Sequence, residues 1–85
     1  MITMRRTDPA RNMARFYAID VGKTLFGHTC VVRRWGRIGA NGQTRQDWFE
    51  TPEGALEALK RLVRVKRRRG YIVQRGSRFG FRAAP

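Results

Sequence analysis

Arginine, tryptophan and glycine adjoin in the segment Arg33-Arg34-Trp35-Gly36-Arg37, whose residue types are suited to binding a polyanion. If this segment is a β-strand, Arg33, Trp35 and Arg37 project from the same side, because successive side chains alternate between the two faces. An indole between two guanidinium groups offers a flat surface for a sugar or base and N–H donors for adjacent phosphates. The alternative is that Trp35 belongs to the core and that both arginines are merely solvated.

A second basic cluster, Lys66-Arg67-Arg68-Arg69, directly precedes Gly70 and Tyr71. We expect Lys66, Arg68 and Arg69 to hold further phosphates, and Tyr71 to stack on an exposed sugar or base. Cations are also favourable at the C-terminus of a helix, so part of this basicity has a structural explanation.

Residues typical of catalytic or metal sites are few. His28 and Cys30 lie two positions apart, but a single histidine and a single cysteine cannot supply an ordinary four-ligand zinc site. Gly36, Gly39 and Gly42 have neither the dinucleotide-binding nor the P-loop spacing, and they indicate a hairpin connection in which Gly36 lets a ligand approach the backbone. We therefore expect no catalytic residue, no metal and no cofactor.

The composition favours a nucleic-acid partner. The 85 residues suffice for one small domain, and 41% of them are hydrophobic, which is enough for a folded core. The formal net charge is +13, and 16 of the 19 basic residues are arginine, which binds phosphate through a planar array of donors. No apolar stretch is long enough for a membrane span or a secretory signal. We expect a cytoplasmic protein without a membrane partner, associated with the nucleoid if it is bacterial.

The elements that must position these residues follow from the apolar patterning. Thr51-Pro52-Glu53 is typical of a helix start, and Gly70 is a suitable stop. Apolar residues at a spacing of three to four follow that start and predict a helix packed on a sheet. The strands are predicted over 15–21, 28–35, 43–50 and 71–75, in the order β-β-β-α-β, which is an α+β fold with a small antiparallel sheet and one helix.

Residues 1–14 are predicted to be a flexible basic arm, 15–75 the folded domain, and 76–85 a tail or short last strand. The pattern leaves open whether Val31, or Cys30 with Val32, faces the core.

Several separated motifs resemble those of the WGR domain family. The family's signature is similar to the segment Trp35-Gly36-Arg37-Ile38-Gly39 followed by Gly42-Gln43. The other similar motifs are Arg15-Phe16-Tyr17 at the opening strand, Thr51-Pro52-Glu53-Gly54-Ala55 at the helix entry, and Lys66 with Gly70-Tyr71 at the helix exit. The resemblance spans about residues 14–75.

The resemblance implies a compact α+β domain and a role in binding DNA. In DNA-dependent poly(ADP-ribose) polymerases the WGR module helps to bind strand breaks and relays that binding to a catalytic domain. There the motif tryptophan packs against the sugar of a terminal nucleotide, and the motif arginine lies at the junction of DNA and a neighbouring domain. These roles correspond to Trp35 and Arg37. An ADP-ribosyltransferase domain does not fit in 85 residues, so we expect no enzyme activity.

Two hypotheses follow. The first is a non-catalytic module that binds nucleic acid without sequence specificity, with DNA favoured over RNA, at ends, nicks or along the backbone. The second is an interaction module that docks an acidic protein partner through the same tryptophan–arginine surface.

Overall fold

A single sheet carries a helix on one face in the computed structural model, which describes residues 1–23, 26–74 and the backbone of 81–83. This arrangement confirms the predicted α+β class. The strands are β1 (Ile2–Asp8), β2 (Met13–Lys23), β3 (Thr29–Arg37), β4 (Gln43–Phe49), β5 (Ile72–Val73) and β6 (Phe81–Ala83), the helix is α1 (Pro52–Arg68), and a 3-10 turn spans Pro9–Arg11. The strand order is β4-β3-β2-β1-β5, all antiparallel, and β6 pairs in parallel with the end of β2.

The start of α1 is capped as the sequence predicts. The Gly54 N–H donates a hydrogen bond to the Thr51 hydroxyl oxygen at 3.1 Å, and Pro52 is the first helical residue. Such a cap satisfies an N–H group that has no partner within the helix. Gly70 follows the last turn with a φ of 96°, a conformation that glycine adopts without a steric penalty.

The core lies between α1 and the face of the sheet that carries Tyr17 and Val31. Val31 is fully buried in this core, whereas Cys30 and Val32 line a groove on the opposite face, which settles the alternative that the sequence left open. The buried members of the core are Met4, Tyr17, Ile19, Val21, Val31, Ala55, Leu59 and Tyr71. Within the described part of the chain, no helix is long and apolar enough to cross a membrane.

The prediction of a flexible arm over residues 1–14 is wrong. Residues Ile2–Asp8 form β1, which pairs with β2 along its whole length and with β5 on its other side. Met4 lies opposite Tyr17 and is fully buried. Because β1 contributes only Ile2 and Met4 to the apolar face, its alternation is too short to stand out in the sequence. The folded unit therefore begins at β1 rather than at residue 15.

The C-terminal prediction falls mostly outside the described residues. The strand predicted over 71–75 is present as the two residues of β5, and Arg75 lies beyond the described range. Within 76–85 the structure describes only the backbone of β6, which is a short last strand.

Candidate nucleic-acid interface

Strand β3 presents Arg33, Trp35 and Arg37 on one face of the sheet, as the alternation predicts. This is the face on which α1 packs, since Trp35 lies opposite Tyr17 of the core. The same register places Arg15 opposite Arg37. Two arginines that are far apart in the sequence are thereby brought side by side.

These residues border a cleft of about 540 Å³. Its walls come from the turn after β1, the start of β2, the end of β3, the last turn of α1 and the residue before β5. We call it the basic cleft, and its lining residues are Arg11, Asn12, Met13, Ala14, Arg15, Trp35, Gly36, Arg37, Lys66 and Tyr71. Four of them are cationic and none is acidic, so the cleft is suited to an anion.

Trp35 belongs both to the core and to the cleft. Its side chain is half-buried and packs against the buried cluster, yet it also forms part of the cleft wall. The Arg33 guanidinium carbon lies 5.8 Å from the indole centroid, within range of a cation–π contact. Trp35 is therefore neither wholly enclosed in the core nor fully exposed, and its role in binding stays a prediction.

Arg33 is engaged within the protein. Its Nη2 lies 3.3 Å from Asp47 Oδ2, and the side chain is only 19% exposed. Arg45 Nε binds the other oxygen of the same carboxylate at 3.0 Å. A guanidinium that is enclosed and ion-paired is a poor phosphate ligand, so Arg33 contributes to the site by packing beside Trp35.

Lys66 reaches the cleft from the last turn of α1. Its Nζ lies 4.7 Å from the Tyr17 ring centroid and 5.1 Å from that of Tyr71. Burial lowers the pKa of Lys66, and the guanidinium groups of Arg69, Arg33 and Arg15 lower it further. An anion bound in the cleft would relieve this crowding of positive charge.

Tyr71 forms a wall of the cleft and has little surface for stacking. Its side chain is 8% exposed, and its ring meets that of Tyr17 edge-on at 6.4 Å. The ammonium of Lys66 approaches the same ring. This enclosure does not support a role for Tyr71 in stacking on a base.

The end of β3 is held in place by contacts to the turn after β1 and to the start of β2. Arg37 Nη1 donates to the backbone oxygen of Asn12 at 3.4 Å, and the Ile38 N–H donates to that of Ala14 at 2.9 Å. Asn12 has a φ of 52°, a left-handed conformation that asparagine tolerates. Arg37 is otherwise exposed at the rim of the cleft.

Gly36 is required by the internal packing of the loop. A Cβ at Gly36 would lie 2.7 Å from the Cα of Gly42, closer than real Cβ atoms approach backbone. A Cβ at Gly42, whose φ is 76°, would meet the Trp35 carbonyl oxygen. The close approach predicted at Gly36 is therefore made by the chain itself, because the two glycines pack against each other.

The structure thus brings together only part of the predicted set. Trp35, Arg37, Lys66 and Tyr71 line the cleft, whereas Arg68 borders a separate groove beside α1. Arg69 is exposed at the helix end and influences the cleft through its charge on Lys66.

Arg11 and Arg15 also line the cleft, although no sequence pattern indicated them as binding residues. Arg15 could have been found from the pairing of the first two predicted strands, since the register places it beside Arg37. Arg11 lies in the turn after β1, a segment interpreted as part of an arm, and it carried no separate signal.

The chain is 47% identical over 68 residues to an uncharacterized protein of Sinorhizobium fredii, an alignment that covers 80% of this chain and 33% of that protein. The chain therefore spans about a third of the length of this relative. No solved structure matches the present chain. Among the described residues, no group of three or more His, Cys, Asp or Glu side chains is placed to hold a metal ion. The model of the WGR domain matches residues 1–78, and the chain belongs to the WGR domain family.

Proposed function

We propose that this domain is a non-catalytic module that binds DNA in preference to RNA, at strand ends or nicks and without sequence specificity. The observation that carries the proposal is the basic cleft, where four cationic side chains surround the wall formed by Trp35, with no carboxylate among the described lining residues. Family membership supports the same proposal, because the WGR modules of DNA-dependent poly(ADP-ribose) polymerases help to bind strand breaks.

Phosphate is the anion best matched to these cations. Arg11, Arg15 and Arg37 each offer several N–H donors, and Lys66 adds an ammonium group at the back of the cleft. Such contacts to the backbone position a nucleic acid without reading its bases. The expected recognition is therefore independent of sequence.

Trp35 is the residue that would distinguish an end from intact duplex. Its indole is half-buried, so it offers one limited surface rather than a ring that can insert between base pairs. A terminal nucleotide exposes its sugar and one face of its base, whereas those inside a duplex are covered by neighbours. Packing of the indole against a terminal sugar fits this geometry.

A competition experiment tests the proposal. Blunt, nicked, closed-circular and single-stranded DNA compete for the protein at fixed salt, and we expect nicked and blunt DNA to bind more tightly than closed circles. Trp35→Ala should remove this preference while leaving most of the phosphate-dependent affinity. Trp48→Ala is the matched control, because Trp48 is 57% exposed and lies on the opposite face of the sheet.

An acidic protein is the alternative partner for the cleft, because carboxylates also accept hydrogen bonds from guanidinium groups. If Trp35→Ala and Arg37→Ala both leave the affinity for every DNA form unchanged, the cleft does not bind DNA and the proposal fails. Loss of end preference in Trp48→Ala alone would likewise place the site elsewhere.

A further inference from the structure

The face of the sheet opposite α1 carries a second concavity, which the proposed function does not use. This groove has a volume of about 560 Å³, within the range of ligand sites in proteins. Its floor is formed by alternate residues of β2 and β3 whose side chains are small or apolar. They are Phe16, Ala18, Gly22, Cys30 and Val32.

Two arginines give the groove a cationic character. The Arg34 guanidinium carbon lies 5.6 Å from the Phe16 ring centroid, and Arg34 Nε donates to the backbone oxygen of Asn41 at 2.7 Å. Arg5 lines the groove from β1. Asp20 is the one carboxylate among the described lining residues, and it lies 3.4 Å from the N-terminal ammonium. The groove therefore favours an anion that also has apolar surface.

A guanidinium anchored beside an aromatic ring suits an unpaired nucleotide in particular. Bases stack on guanidinium planes as well as on aromatic side chains, and stacking needs no particular base. One of the five Arg34 N–H donors is used by Asn41, so the guanidinium retains donors that a phosphate can accept from. A carboxylate-bearing peptide could pair with the same arginines but would not need a flat surface to stack on.

The groove meets the basic cleft at a single loop. Gly36 and Arg37 line the cleft, and the next three residues, Ile38, Gly39 and Ala40, line the groove. A strand leaving the cleft can therefore pass this loop and reach the other face. We propose that the groove binds the first unpaired nucleotides of a single-stranded extension whose duplex is held at the cleft. This inference rests on the proposed function.

Fluorescence anisotropy with labelled DNA tests the inference on the full chain. The probes are a blunt duplex, the same duplex with a thymidine extension of about six nucleotides on either strand, and oligothymidylate alone, since site sizes for single strands start at about four. We expect one extended duplex to bind about tenfold more tightly than the blunt one, consistent with at least one stacked base.

Three variants localise that gain. Arg34→Ala removes the guanidinium, Arg34→Lys keeps the charge without the planar group, and Ala18→Leu fills the floor with an aliphatic side chain that offers no ring to stack on. Each variant should abolish the affinity gain of the extended duplex and leave the affinity for the blunt duplex within about twofold. Arg64→Ala is the control, because it removes the same charge from the exposed side of α1 and should preserve the gain. Circular dichroism tests whether each variant folds, and the Arg34 variants decide the matter if Ala18→Leu does not fold.

The outcomes separate this inference from the proposed function. Equal affinity for blunt and extended duplexes, or a gain that survives all three variants, overturns the inference and leaves the cleft proposal intact. If no duplex binds, the proposed function fails. Oligothymidylate binding that the groove variants abolish would then still support a nucleotide site in the groove. If polyglutamate binds in place of oligothymidylate and is sensitive to the same variants, the groove is a protein-docking surface and the inference is wrong.

Discussion

Lys66 is held between opposing electrostatic influences. The rings of Tyr17 and Tyr71 favour its charged form through cation–π contacts, whereas burial and the guanidinium groups of Arg69 and Arg33 disfavour it. Burial first, and the neighbouring guanidinium groups second, lower the pKa of Lys66 from its ordinary value of 10.5. A phosphate in the cleft acts in the opposite direction, so DNA binding should raise this pKa and favour uptake of a proton.

This linkage predicts the pH dependence of binding. As the pH rises through the lowered pKa of Lys66, below 10.5, the ammonium loses its proton and its phosphate contact weakens. We expect DNA affinity to decline in that range and the salt dependence to become shallower by about 0.9 in logarithmic slope. Anisotropy titrations over a pH series measure both quantities.

Lys66→Arg is the control for this effect, because a guanidinium does not titrate in the same range. The variant should keep its affinity where the wild type loses it. The same alkaline decline in both proteins would show that another group is responsible and that Lys66 does not contact the DNA.

At the level of secondary-structure elements, β1 contributes both to the core and to the cleft. It separates β2 from β5, and the turn that follows it supplies Arg11 and holds the end of β3 through Asn12. Strand β2 is thus paired on both sides within the sheet. The geometry of the cleft therefore depends on a strand that has only two apolar side chains on its core face.

Met4→Ala tests the importance of β1 for folding. Met4 is fully buried, and its truncation should lower the free energy of unfolding by about 2–5 kcal/mol through lost apolar burial and the cavity that remains. Arg5→Ala is the matched control, because the adjacent side chain is exposed and should cost no more than about 0.5 kcal/mol. Urea denaturation followed by circular dichroism measures both. Similar small losses in the two variants would indicate that β1 is not part of the cooperative core.

For the whole molecule, the formal charge of +13 predicts that electrostatics would be the main contribution to the proposed DNA binding. In the proposed complex, the four cations of the basic cleft would supply about four phosphate contacts, with Arg11 exchanging its 3.6 Å pairing with Asp8 for one of them. Each phosphate neutralised releases condensed counterions, so affinity falls steeply as salt is added. Both faces of the sheet carry cationic concavities, and they meet at the loop after β3.

A salt titration tests this electrostatic account. With about four phosphates neutralised, the logarithm of the association constant for duplex DNA should fall with the logarithm of salt concentration at a slope of about −3 to −4. Arg15→Gln should reduce the steepness by about 0.9, because it removes one cleft cation. Lys23→Gln removes the same charge at the opposite end of β2 and should leave the slope unchanged. Equal effects of the two substitutions would show that the net charge, rather than the cleft, controls binding.

The sequence alone determined the features that depend on neighbouring residues. Alternating and helical apolar patterns indicated β2, β3, β4 and α1, and the cap at Thr51 marked the helix start. Strand alternation also placed Arg33, Trp35 and Arg37 on one face. These features are local because backbone geometry sets which side a residue faces within a few positions of it.

The tertiary structure decided which of these side chains are available for a ligand. Arg33 is ion-paired with Asp47, a residue of the next strand. Arg11 and Arg15 line the cleft from segments more than 20 positions from Arg37 in the sequence. The register between strands and the position of the helix end fix these encounters, and both depend on packing the whole core. Charge pairing between segments distant in sequence leaves no local pattern, so only the folded chain shows which cations remain accessible to an anionic ligand.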